Sequence, residues 1–358
     1  MEPDNPEPDI DAAHPKSKKK KSIKKRVAIG GVGIAVLVGT FVFILPRIAD
    51  YRSVWDVVQG LTWQQLAVLV LATLANLATY APPWMAALPG LGYRQGSVLT
   101  LASTSSTYVA PGGAAVGMAT SYAMLRAWGF SGRPVTIAVA VTGIWNQFAM
   151  LGFPIVALAA LTVQHEQNGL LQTVALIGLV VFVVATAAFA AGLSTPRLAR
   201  KVGDLAARVC NFGLRLIRRK PVTWTGHSFV QWRNETIRLL ARRWHVLTLA
   251  TLAGQLTVFL VMLASLRICG VSATDVTFIE AFAAWALARL LGSLPITPGG
   301  LGIVEVGLTG VLVGFGGHNA DVVAAVLIYR FMTIVPTLLL GVVAAATWRH
   351  HQPKTAVA

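Results

Sequence analysis

The chain has 358 residues, 55% of them hydrophobic and only 12% charged, and a mean hydropathy of +0.65. That balance excludes a soluble globular domain and describes an all-α polytopic membrane protein. The formal net charge of +16 invites a nucleic-acid reading, but the basic residues gather beside apolar runs. That is the positive-inside pattern of a protein facing anionic headgroups, so nucleic acid is not expected as a partner.

The first 26 residues form a polar arm. Glu2, Asp4, Glu7, Asp9 and Asp11 precede a block of eight basic residues from Lys16 to Arg26, and Pro3, Pro6, Pro8 and Pro15 oppose helix. The arm is expected to be disordered and cytoplasmic, with its lysines orienting the chain and touching acidic lipid. The apolar run Val27–Leu45 follows, then Pro46-Arg47 in place of a small-residue cleavage site, so it reads as an uncleaved anchor rather than a signal peptide.

Five further full spans are predicted at Gln64–Ala81, Pro134–Val163, Gly169–Gly192, His245–Ile268 and Asp321–Trp348. Between them lie two apolar segments broken by Pro-Gly-Gly, Ser97–Trp128 and Val276–Phe315. Bare backbone within a bilayer is tolerated only where protein buries it or it lines a cavity. Lys/Arg counts in the loops are consistent with one orientation only if each broken segment enters and leaves on the same side. The first then dips in from the cytoplasm and the second from outside, each as two half-helices. Eight ordinary spans with tight Pro-Gly-Gly loops is the alternative.

The two segments align without gaps at an offset of 187 residues. Pro111, Gly112 and Gly113 fall on Pro298, Gly299 and Gly300, and nine of the 34 positions from Ser106 to Val139 are identical to their counterparts. The odd number of spans between the copies reverses the second, predicting an inverted repeat. The plan is an arm over residues 1–26, a transmembrane domain over 27–348 with repeat halves at about 97–163 and 276–348, and a tail over 349–358. Residues 193–244 form a basic cytoplasmic segment. Within it Leu198, Val202, Leu205, Val209, Phe212 and Leu216 recur at helical spacing among arginines and a lysine, suiting an amphipathic helix on the inner leaflet or one packed on the spans.

Four ionisable residues fall inside the apolar segments: Glu280, Arg289, Glu305 and Arg330. A charge at a helix centre costs about 2.5–3.5 kcal/mol on insertion scales, so such residues face a partner or a cavity. An ion pair of Glu305 with Arg330 or Arg289 is one expectation. An arginine at a lipid phosphate is the other, since the guanidinium fork suits phosphate oxygens. The Pro-Gly-Gly breaks lead into half-helix N-termini near Ala114 and Leu301, whose free N–H groups favour an anion. Hydroxyl-rich Ser103–Tyr108, then Asn76, Thr79 and Tyr80, then Trp145, Asn146 and Gln147, either line a polar path or bond between helices.

Enzyme signatures are missing: there is no His-Glu-x-x-His, Walker A or Gly-x-Ser-x-Gly pattern. Cys210 and Cys269 are predicted on opposite sides of the membrane, and two cysteines do not make a zinc or iron–sulfur framework. No catalytic residue, metal or cofactor is expected.

The run Leu294-Pro-Ile-Thr-Pro-Gly-Gly-Leu-Gly-Ile-Val-Glu305, with Pro111-Gly-Gly and Tyr122-Ala-Met-Leu-Arg-Ala-Trp-Gly129, resembles the flippase-like transmembrane region of lysylphosphatidylglycerol synthases and their free-standing relatives. The resemblance covers roughly Val27 to Trp348. It implies movement of lipids between leaflets, with Pro298, Gly299, Gly300, Gly302 and Glu305 carried over, and Pro111, Gly112 and Gly113 with them. Some members also carry a soluble aminoacyltransferase domain. Ten residues follow the last predicted span, so a free-standing member without that domain, and no lipid aminoacylation, is expected.

The expected function is therefore a translocase for a phospholipid or other envelope lipid in the bacterial inner membrane, with both termini cytoplasmic. An anionic or zwitterionic headgroup would sit where the hairpins meet, at Arg289 or Arg330. A membrane scaffold for envelope biogenesis, using the arm and the amphipathic segment, is a second reading. A polyprenyl-linked group transferase resting on Asp50 and Asp56 is a third. A homo-oligomer or envelope-synthesis partners are compatible with each.

Overall fold

The structure is a computed structural model. It describes residues 59–109, 113–163, 169–198, 226–293 and 298–351, with isolated helical positions between 200 and 211. The polar arm, the span Val27–Leu45, Asp50, Asp56, Pro111, Gly112 and nearly all of the amphipathic stretch lie outside the described residues.

Those residues form ten α-helices and no strand. In chain order they are α1 (Trp63–Ala78), α2 (Pro82–Ala87), α3 (Tyr93–Val109), α4 (Gly113–Ala127), α5 (Gly132–Val163), α6 (Gly169–Ser194), α7 (Gly226–Ile268), α8 (Phe278–Gly292), α9 (Ile303–Gly314) and α10 (Asn319–Thr347). A 3₁₀ turn at Pro298–Gly300 lies between α8 and α9. Five stretches are long and apolar enough to cross a membrane, and they match the five spans predicted after Val27–Leu45. The chain is an all-α polytopic membrane protein.

Local chemistry explains the helix ends. Thr62 and Gln65 form a capping box at the start of α1, and Thr277 and Glu280 form another at α8. Glu280 accepts from the Thr277 N–H and hydroxyl, both at 2.7 Å. Glu280 is therefore a helix cap rather than a site residue. Helix α7 begins at Gly226, well before the hydropathy change at His245. Residues 226–244 extend a span as helix and are not loop, because Arg and Trp stems continue the helical pattern past the apolar boundary.

Both broken segments fold as hairpins whose arms lie side by side, α3 on α4 and α8 on α9. The arms hold 17, 15, 15 and 12 residues. At 1.5 Å per residue they reach about 18–26 Å, short of a hydrocarbon core of about 30 Å. Small residues allow the close approach. A Cβ on Gly117 would overlap the Thr107 hydroxyl, and one on Gly292 would lie 2.9 Å from Val304.

The repeat is visible in the helix ends. Ala127 and Gly314 close α4 and α9, and Gly132 and Asn319 open α5 and α10, each pair 187 residues apart. The same turn follows both arms. Phe130 N–H donates to the Leu125 carbonyl at 3.3 Å and Gly317 N–H to the Leu312 carbonyl at 3.1 Å, beside positive-φ Gly129 and Gly316. Leu125 and Leu312 are both 0% exposed. Packing is reciprocal: α3 lies on α10, the helix after the second hairpin, and α8 lies on α5, the helix after the first. Two apolar clusters result. One gathers around α2, α3 and α4, and the other around α8, α9 and α10 with aromatic side chains of α5 and α7. Helix α6 has little buried surface and is apolar all round, which suits a lipid-facing span.

Candidate functional site

The end of α3 meets the Pro-Gly-Gly turn of the second hairpin. The Tyr108 ring near the end of α3 rests against Gly299 of the Pro-Gly-Gly turn so closely that a Cβ there would overlap it. Gly299, Gly300 and Gly302 have φ of 63°, 68° and 85°, a region open to glycine but not to most residues. The motif is therefore a backbone device: its glycines take left-handed conformations before α9 and let an aromatic side chain sit on bare backbone.

The last helix holds this turn at both ends. Arg330 on α10 donates through Nη2 to the Gly299 carbonyl at 3.1 Å and through Nε to Glu305 Oε1 at 2.5 Å. The other carboxylate oxygen of Glu305 accepts from the Gly302 N–H at 2.7 Å. Glu305 is 1% exposed and the Arg330 side chain 10% exposed. A buried pair is tolerable only when further hydrogen bonds support it, and here the Gly299 carbonyl and the Gly302 N–H supply two. Of the two partners open to Glu305, the structure selects Arg330.

That assignment corrects two expectations. Helix α9 begins at Ile303, not at Leu301, and Gly302 is its N-cap. The N–H of Gly302 is satisfied by the chain's own Glu305, so a carboxylate already lies at the start of α9. Arg330 is likewise engaged. At the first break Gly113 opens α4 with φ of 34°.

Arg289 is different. On α8 it donates through Nη2 to Gln255 Oε1 at 2.7 Å, and Gln255 Nε2 donates in turn to Asn146 Oδ1 at 2.6 Å. This chain links α8, α7 and α5. Arg289 Nε is buried and has no acceptor, and among the described residues Arg289 makes no ion pair. Tyr80 and Tyr329 both lie within reach of its charge, and Tyr108 is within reach of both tyrosines and of Arg330. Tyr80 also meets the Thr337 hydroxyl at 3.0 Å, and Ser105 donates to the Thr337 carbonyl at 3.0 Å. Two arginines, three tyrosines and one glutamate thus converge where the hairpins, α7 and α10 come together.

The other polar residues separate cleanly. Ser103, Ser106 and Thr107 bond carbonyls of their own helix, while Ser105 hydrogen-bonds across to α10 and Tyr108 packs across on Gly299. Asn76 bonds Gly254 and Thr257, and Trp145 bonds Thr248, both as links between helices. Gln255, Trp285, Tyr329 and Thr337 were not singled out from the sequence. Gln255 carried a readable signal, an amide in the middle of an apolar span. Tyr329 and Trp285 carried none, because aromatics in spans are ordinary.

A family model for the lysylphosphatidylglycerol synthase transmembrane region matches residues 29–341. The chain belongs to that family. The match embraces both hairpins, α7 and all but the last turns of α10, so every residue of the converging polar centre falls within it. Among curated proteins none matches the chain.

Proposed function

We propose that this protein is a flippase-like translocase that moves a phospholipid or related envelope lipid between leaflets, rather than an enzyme. The observation that carries the reading is Arg289, a guanidinium on an apolar helix with a buried, unbonded Nε and no ion pair among the described residues, near the glycine turn of the second hairpin. A permanent uncompensated cation at that depth is expensive, which makes an anion that arrives and leaves a natural counterpart. The lipid phosphate would occupy Arg289, with its acyl chains remaining in the bilayer.

The Arg330–Glu305 pair would act as a latch on the glycine turn of Pro298, Gly299, Gly300 and Gly302. Rocking of one repeat against the other, across the α3–α10 and α5–α8 contacts, would expose the centre to each leaflet alternately. The first-hairpin residues Pro111, Gly112 and Gly113 would form the opposing tip. A bacterial inner membrane with cytoplasmic termini is the setting that the basic arm and loop support.

The test is leaflet exchange of fluorescent phospholipids in proteoliposomes, followed by dithionite quenching, for the wild type and Arg289→Ala. We expect protein-dependent exchange that falls at least about tenfold in the variant, the scale of one lost charge-assisted hydrogen bond. Absence of exchange with anionic, zwitterionic and aminoacylated lipids, in protein shown to be folded, would reject the translocase and leave the scaffold reading.

A further inference from the structure

A lipid whose acyl chains stay in the bilayer reaches the polar centre through a side opening between helices, and the repeat distinguishes a fastened seam from an unfastened one. Each hairpin packs its second arm on the helix that follows it, α4 on α5 and α9 on α10. The seam of the second half is fastened by Glu305 on α9 and Arg330 on α10, and Glu305 also holds the Gly302 N–H. Moved back by the 187-residue offset, Glu305, Arg330 and Gly302 become Met118, Gly143 and Ala115. The contact is kept, since a Cβ at Gly143 would lie 4.0 Å from the Met118 Sδ. Its chemistry is not. A flexible thioether against a position with no side chain gives adaptable dispersion contacts and no directional bond.

The other joints around the centre are pegged. Ser105 donates to the Thr337 carbonyl and fits against Gly341, joining α3 to α10. Phe153 lies against Trp285 with ring centroids 5.1 Å apart, and Asn146, Gln255 and Arg289 bond in series, joining α5 to α8. Between α4 and α5 the described residues supply no side-chain hydrogen bond or ion pair. Arg126 bonds the Phe130 carbonyl within their connecting turn, and Arg133 at the start of α5 pairs with Glu235 on α7.

Gln147 marks the same seam. It lies midway along the 32-residue α5, next to Asn146. Asn146 bonds Gln255 in the centre, whereas Gln147 is exposed and makes no hydrogen bond among the described residues. One helical turn separates it from Gly143, so the two share a face. Its counterpart in the second half, Ile334, is 2% exposed. An unbonded amide in hydrocarbon is costly, and water or a polar headgroup entering the seam would satisfy it.

Resting on the translocase reading, we propose that the α4–α5 seam at Met118, Gly143 and Gln147 is the lateral gate through which a phospholipid headgroup passes, while the Glu305–Arg330 seam stays shut. A packed seam without a directional bond is the one that parts at least cost when the halves rock.

Two measurements on the full-length chain in proteoliposomes, in a Cys210→Ser/Cys269→Ser background, test the gate. In the first, Met118→Cys/Gly143→Cys is joined by a short bifunctional methanethiosulfonate, and leaflet exchange of fluorescent phospholipid is followed in the same protein before and after. Exchange should be lost on cross-linking and return on reduction, while a monofunctional methanethiosulfonate should not abolish it. In the second, Gln147→Cys is labelled with a membrane-impermeant thiol reagent beside Val181→Cys, an exposed position midway along the lipid-facing α6. Reaction needs a wetted thiolate, so Gln147→Cys should react at least about tenfold faster. This arm stands if the double-cysteine variant does not fold. Exchange that persists in fully cross-linked protein would overturn the gate and leave the translocase. Gln147→Cys reacting as slowly as Val181→Cys would also overturn it, assigning that amide to lipid or to a second copy of the chain. Fast labelling in a protein that exchanges no lipid before cross-linking would uphold a wetted seam and reject translocation.

Discussion

Glu305 and Arg330 show at the residue scale why a buried ion pair is better described as a constraint than as a source of stability. Removing one partner leaves the other charged and unpaired, at a cost of about 3–5 kcal/mol. Replacing both by apolar residues removes the desolvation cost as well. Glu305→Leu should therefore lower the Tm in detergent much more than the double variant Glu305→Leu/Arg330→Leu, while both lose the tie between α10 and the glycine turn. Equal destabilisation of the single and double variants would show that the pair is not the unit. A second residue-scale prediction concerns Cys269, just beyond the end of α7. Burial, with Asp321 adding to it, pushes its thiol up to about 12. The thiolate is the reactive form, so at neutral pH it is nearly absent. In a Cys210→Ser background, maleimide labelling of Cys269 should be slow until the protein is denatured.

The hairpin tip is where the element scale decides. Gly299 has both a left-handed backbone and the Tyr108 ring where a side chain would go. Gly299→Ala should cost about 1–3 kcal/mol in unfolding measurements, from the backbone conformation together with the clash. In a Tyr108→Ala background the clash component disappears, so the same substitution should cost measurably less, and this coupling is what a double-mutant cycle reads. A cost independent of residue 108 would place the whole effect in the backbone. The Pro-Gly-Gly motif was legible in the sequence as a break, and the arms were legible as short apolar helices. That Glu305 accepts from the Gly302 N–H at the start of α9 was not, because capping depends on a side chain folding back over its own turn.

On the scale of the whole molecule, the repeat predicts a topology. With arms of 12–17 residues, at or below the shortest spanning length, residues flanking each hairpin should share a side, and the two hairpins should open on opposite sides. Single cysteines at Arg94 and Ser131, tested with a membrane-impermeant thiol reagent in oriented vesicles, should label from one side. Cysteines at Thr274 and His318 should label from the other. Labelling of Arg94 and Ser131 from opposite sides would restore eight ordinary spans and remove the inverted repeat. The reciprocal contacts of α3 with α10 and of α8 with α5 also place the interface between the halves. Gly341 allows the first of these, since a Cβ there would overlap Ser105.

Hydropathy, charge placement and the spacing of two Pro-Gly-Gly breaks were enough to specify an all-α membrane protein, five of its spans, the positions of both hairpins and the register between the repeats. Those features are properties of consecutive residues, and the bilayer imposes them through local rules on helix length and backbone satisfaction. Which charges pair was not a local property. Glu305 selects Arg330 over Arg289 because α10 lies along the glycine turn, whereas Arg289 faces Gln255 across α7 and keeps a donor free. Only the packing of distant helices distinguishes an arginine paired with a carboxylate from one held by an amide.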